Sequence, residues 1–140
     1  PAWRAITAAL LQNHAELPEL LNDFPIHACT DISGFGLGGH LCEMIEGTGL
    51  SVNLDFDKIP VLPEFFALEK AGFRSHLAGE NFAAFGDKLG GIDNPALWDP
   101  QTHGPLLFGV PAADARRLVE LLHGAGFANA CVIGEVLPLK

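Results

Sequence analysis

Lysine and arginine are scarce in this chain: 8 of its 140 residues, against 17 aspartates and glutamates, for a formal net charge of −9. Phosphate backbones and anionic bilayers are bound by clustered Lys and Arg. That balance argues against a nucleic-acid reader and against a membrane-surface protein. Cysteine is also sparse. Cys29, Cys42 and Cys131 are odd in number, lie far apart and form no C-x-x-C pair. This argues against a disulfide framework or zinc site and reads as reduced thiols in a cytoplasmic protein. No apolar run approaches the roughly 20 residues of a membrane-spanning helix, and no signal peptide is recognisable. An initiator Met is missing, so Pro1-Ala2-Trp3 reads as an internal boundary and the chain as an excised domain. Internal repeats and low-complexity tracts are absent too.

What the chain does have is core. Residues are 49% apolar and only 18% charged, and a chain this long buries roughly 70% of its unfolded surface as one domain. In "PAWRAITAALLQNHAELPELLND", Trp3, Ile6, Leu10, Leu17 and Leu21 recur near multiples of 3.6. That spacing predicts helix from Pro1, kinked or split at Pro18. "IHACT" reads as a buried strand, and "GLGGHLCEMIEG" as a helix closed by Gly47-Thr48-Gly49. "LSVNLDFD" alternates, with Leu50, Val52, Leu54 and Phe56 on one face, which predicts a half-buried strand. "PEFFALEKAG" predicts a helix stopped at Gly72. Residues 73–104 give no element, and so long a loop is more often functional than idle. "PLLFGVP" reads as a strand, "AADARRLVELLHGAG" as a helix capped by Gly124 or Gly126, and "ANACVIGEVLP" as the closing strand. Helices and strands in this order imply a layered α/β or α+β domain.

Between the first strand and its helix lies "TDISGFGLGGH", Thr30 to His40. Its glycines satisfy the literal G-x-G-x-x-G of a dinucleotide loop, yet Asp31 precedes them and Asp31-Ile32-Ser33 separates strand from glycine. Three readings stand. One is a dinucleotide loop, with Asp55 or Asp57 as the ribose acid. Another is structural: the glycines let a helix pack closely while Asp31 or Ser33 caps it. In the third, a carboxylate at the strand end shares a divalent cation with a phosphate, which turns its negative charge into an asset.

"TDISGFGLGGHLCEM" resembles the "TD-[VI]-[TS]-GFGL-x-GHL-x-EM" signature that opens the C-terminal domain of the selenophosphate synthetase (selenide, water dikinase) family. "WDPQTHGPLLFGVP" resembles that family's "DPQTSGGLL" segment, and "ANACVIGEV" its closing "A-x-VIG-x-V". Order and spacing agree over essentially all of residues 1–140. The resemblance implies a three-layer α/β (α+β) fold with helices around a mixed sheet, as in the C-terminal domain of aminoimidazole ribonucleotide synthetase. It implies ATP-dependent synthesis of selenophosphate from selenide, with AMP and phosphate as co-products. The cofactors are then Mg²⁺ and ATP, and the partners an N-terminal ATP-binding domain and a second copy of the complete protein.

On this resemblance Asp31 is a metal ligand. Thr30, Gly34, Gly36, Asn81, Asp99, Gln101 and Thr102 lie near nucleotide or phosphate, with Gly39 completing the turn. The family's reactive Cys or selenocysteine and its lysine belong to the N-terminal region, so no catalytic residue is expected in this chain and Cys29 is not that nucleophile. His40 and Glu43 read more simply as structural helix residues. Two departures from the pattern stand out. "TSGG" becomes Thr102-His103-Gly104-Pro105, where Pro105 lacks a donor. Glu80 stands where the family often carries a cation. Both fit an alternative: a degenerate regulatory or interaction domain that keeps the fold without the chemistry.

Overall fold

A computed structural model describes residues 2–139. The expected α+β class holds, with seven α-helices and four strands among the described residues. In chain order they are α1 (Ala2–Leu10), α2 (Leu17–Leu21), β1 (Ala28–Asp31), α3 (Gly36–Ile45), β2 (Leu50–Leu54), α4 (Phe65–Lys70), α5 (His76–Phe85), α6 (Pro95–Trp98), β3 (Leu106–Gly109), α7 (Ala112–Gly124) and β4 (Gly134–Pro138). The strands pair as two two-stranded sheets, β1 with β3 and β2 with β4. No helix among these residues is long and apolar enough to cross a membrane.

The chain forms two compact units. One comprises Thr30–Glu46, Val61–Leu107 and the first segment through Gln12; the other comprises Asn13–Cys29, Gly47–Pro60 and the segment from Phe108 onward. In the first unit, Ile32, Leu37, Leu41, Cys42, Leu97 and Trp98 are buried. Helix α3 packs on α5 and α6, and its first seven residues, Gly36 to Cys42, are all buried. That burial explains the glycines. A Cβ on Gly38 would stand 2.5 Å from the Trp98 ring, and one on Gly39 would stand 2.5 Å from the Phe35 Cβ. Absent side chains let the helix and Trp98 share one close-packed layer.

The second unit buries Leu17, Phe24, Leu118 and Leu122. Its sheet is antiparallel, with Val52 opposite Val136 and Leu54 opposite Gly134. Helix α7 ends in a paired cap: Gly126 N–H donates to His123 O at 3.1 Å and Phe127 N–H to Leu122 O at 2.9 Å. Gly126, at φ +93°, supplies the left-handed residue this ending requires.

Several expectations change. The first helical stretch does split: Pro18 lies in the first turn of α2, where its missing N–H costs nothing. The start expected at Pro1 lies outside the described residues. Trp3 and Leu10, read as an apolar stripe, are 75% and 42% exposed. Strand β2 stops at Leu54, because Lys58 N–H bonds Asp55 O and its ammonium pairs the Asp55 carboxylate at 2.7 Å, closing a 3₁₀ turn over Phe56–Lys58. The last strand starts only at Gly134, where a side chain would strike Asn53 O.

The largest correction concerns residues 73–104. They are not one loop but carry α5, a 3₁₀ turn over Gly86–Leu89, and α6. Their start signals are local. The Ser75 hydroxyl accepts Leu77 N–H, and the Asn94 side chain accepts Ala96 N–H ahead of Pro95.

Candidate functional site

The residues expected at the site come from three stretches of the first unit. Asp31 is the last residue of β1 and is exposed. The Thr30 hydroxyl donates to Asp31 O at 3.2 Å. Among the described residues, no hydrogen bond or ion pair engages the Asp31 carboxylate. Ile32 follows, 3% exposed, and anchors the strand end by donating its N–H to Pro105 O at 2.9 Å.

The turn beyond Asp31 is held on every residue. Ser33 O accepts the N–H groups of Gly36 and Gln101, each at 3.0 Å. Gly34 O accepts from Asn81 Nδ2 at 2.9 Å, and the same amide donates to Trp98 O at 3.0 Å. Asn81 is 5% exposed, so its role here is a bracket between two chain segments. Gly36 adopts φ +67°, and a Cβ there would lie 2.6 Å from Leu97 O and 3.0 Å from Asp99 O. Only glycine meets both demands. Gly34 has open space where a side chain would stand. Gly104 is also a packing glycine, since a side chain there would strike Ile32 O.

Neither proposed helix cap is formed. The N-cap of α3 is Phe35, without a side-chain bond, so Asp31 and Ser33 do not serve in that way. Ser33 instead meets His40: its hydroxyl lies 3.1 Å from Nε2, and Phe35 N–H donates to the same nitrogen at 3.4 Å. A backbone N–H can only donate, so Nε2 accepts, and the imidazole carries its proton on Nδ1. That proton faces Glu43 Oε2 at 3.0 Å. His40 is 9% exposed and structural in the first instance, as its sequence position suggested.

Asp99 and Gln101 form a local pair: Gln101 Nε2 lies 3.2 Å from Asp99 Oδ2. Burial raises the Asp99 carboxyl above its usual range, and the Gln101 bond offsets this in part. Thr102 and Glu80 are exposed. His103 Nε2 lies 3.2 Å from Gln12 O. Glycine turn, Asn81 and the 97–105 segment thus converge, with Asp31 at the edge of the cluster. Residue type alone did not reveal the roles of Ser33 and His40, because their bond depends on how the turn folds back on α3.

Mg²⁺ takes hard oxygen donors, keeps several waters, and is usually held by one or two carboxylates together with substrate phosphates. An exposed, unengaged aspartate on a fixed strand end fits one such position. Among the described residues no three His, Cys, Asp or Glu side chains gather into a metal site.

Residues 4–140 match the family described as AIR synthase related protein, C-terminal domain. The chain is 38% identical over 117 residues to a selenide, water dikinase of Dechloromonas aromatica, a match covering 79% of this chain and 34% of that protein. It is 35% identical over 142 residues to one of Paraburkholderia xenovorans, covering 97% and 39%. With one of Aeromonas hydrophila it is 41% identical over 118 residues, covering 82% and 32%. The chain thus spans well under half the length of these relatives.

Proposed function

From the premise that this chain belongs to the AIR synthase related family as its C-terminal domain, we propose that it serves in a selenide, water dikinase. The reaction is ATP-dependent synthesis of selenophosphate from selenide, with AMP and phosphate as co-products. The chain closes the nucleotide cleft and contributes Asp31 to the metal site. An N-terminal domain supplies the remaining carboxylates and the nucleophile, and the complete protein acts as a homodimer. On its own the chain is inactive.

One observation carries this reading: an unengaged carboxylate, Asp31, at the end of β1 beside a turn whose residues are all tied down. Fixing the backbone before the ligand arrives lowers the ordering cost of binding. When bound, Mg²⁺ neutralises charge on phosphate oxygens. The part of this chain is to hold one oxygen ligand and the backbone around it in place.

A second reading has its own observation. Pro105 has no N–H, and its carbonyl is taken by Ile32, so this turn offers an anion one donor fewer. A domain that keeps the fold without the chemistry is consistent with that. One experiment separates the two readings: anaerobic ³¹P NMR of the full-length protein with ATP, Mg²⁺ and selenide, beside Asp31→Ala. A selenophosphate resonance that the substitution removes supports the enzyme. Intact ATP with folded wild-type protein supports the degenerate domain.

A further inference from the structure

We propose that His40 is a positioning residue for Asp31, holding in one conformation the turn that follows the carboxylate; the inference rests on the metal-binding reading of Asp31. His40 sits on α3, nearly buried, and its two nitrogens have opposite duties. Nδ1 is oriented by Glu43 Oε2 at 3.0 Å. Nε2 receives the turn twice, from the Ser33 hydroxyl and from Phe35 N–H. The Phe35 ring also lies against the imidazole, with centroids 5.3 Å apart. Ser33 is two residues beyond Asp31, and Ile32 between them is pinned to Pro105 O. Little slack separates what His40 grips from the carboxylate.

The order Ser33, His40, Glu43 is that of a nucleophilic serine relay. Here the hydroxyl is half-buried and tied into the turn, a placement suited to orienting backbone. Groups that orient a metal ligand without touching the metal commonly change affinity by about ten- to a hundredfold when removed. The same range is expected here.

The test uses the full-length protein with Mn²⁺ and a non-hydrolysable ATP analogue, free Mn²⁺ being read by electron paramagnetic resonance. His40→Ala weakens Mn²⁺ binding about tenfold. His40→Gln, whose amide oxygen can accept Phe35 N–H in place of Nε2, recovers most of it. Thermal unfolding is measured alongside. A residue that only supports the fold lowers the melting temperature in His40→Ala and leaves Mn²⁺ affinity unchanged; that result overturns the proposal while Asp31→Ala still binds weakly. If Asp31→Ala also binds Mn²⁺ like wild type, the metal-binding reading falls and this inference with it. If His40→Ala loses its unfolding transition, Ser33→Ala carries the same comparison: weaker Mn²⁺ binding supports the proposal and unchanged binding overturns it.

Discussion

The side-chain amide of Asn81 holds Gly34, donating at 2.9 Å to the carbonyl of a residue 47 positions earlier in the chain. The same nitrogen reaches Trp98 O at 3.0 Å. One buried group thus ties the glycine turn to α5 and to the end of α6.

Replacing Asn81 with Ala takes the donor from two carbonyls, of which that of Trp98 is buried, and leaving that one unpaired costs about 1–3 kcal/mol. Urea unfolding of Asn81→Ala measures it. A loss below about 0.5 kcal/mol, the range of neutral surface changes, counts against the bracket. Asn81→Asp sets a carboxylate against two carbonyls, so its defect shrinks as the medium is acidified.

The glycines of the turn separate by position. Gly34→Ala, with open space around it, stays within about 0.5 kcal/mol of wild type. Gly36→Ala combines a left-handed backbone with overlap on Leu97 O, and Gly38→Ala drives a methyl into the Trp98 ring. Overpacking of this kind costs about 1–3 kcal/mol, and Gly36 adds about 1–2 kcal/mol of backbone strain. Equal effects at Gly34 and Gly36 refute this assignment.

Asp99 sets a pH dependence. Its carboxyl is raised above 3.8 by burial, so the native state favours the protonated form. The resulting stability is complete below the unfolded value and is lost as pH rises through the folded one. Asp99→Asn is therefore more stable than wild type near neutrality, and the gap closes as pH falls toward that of the unfolded carboxyl. Melting temperature against pH checks the sign. A less stable Asp99→Asn at neutral pH would mean that the Gln101 bond to the carboxylate outweighs its burial.

Cysteine reactivity follows burial. Burial pushes the Cys42 thiol up, with Lys88 opposing, and the Cys131 thiol is raised for the same reason against Lys58. Exposed Cys29 and Cys131 are therefore alkylated by iodoacetamide before buried Cys42, whose access is limited and whose reactive thiolate form is disfavoured. Peptide mass spectrometry over time gives the order. Early modification of Cys42 contradicts its burial.

Much of the architecture was legible in local signals. The amphipathic pattern with Gly124 or Gly126 as its stop marked α7, the alternation from Leu50 marked β2, and one reading of the glycine loop set Asp31 at a strand end, where the structure has it. Helices α5 and α6 were missed because their stretch mixes small, polar and aromatic residues without a clear apolar period. Ser75 and the Asn94-Pro95 pair were the signals available there.

By itself, the sequence determined which backbone segments turn and which persist, because propensity, capping and glycine's access to positive φ act over a few residues. It also carried the motifs that identify the family. Only the tertiary structure decided that Asn81 grips Gly34, that His40 receives Ser33 and Phe35, and that the helix glycines make room for Trp98. Those partners are chosen by packing: buried donors and acceptors must pair with whatever the folded chain brings within about 3 Å, and much of what meets here is far apart in sequence.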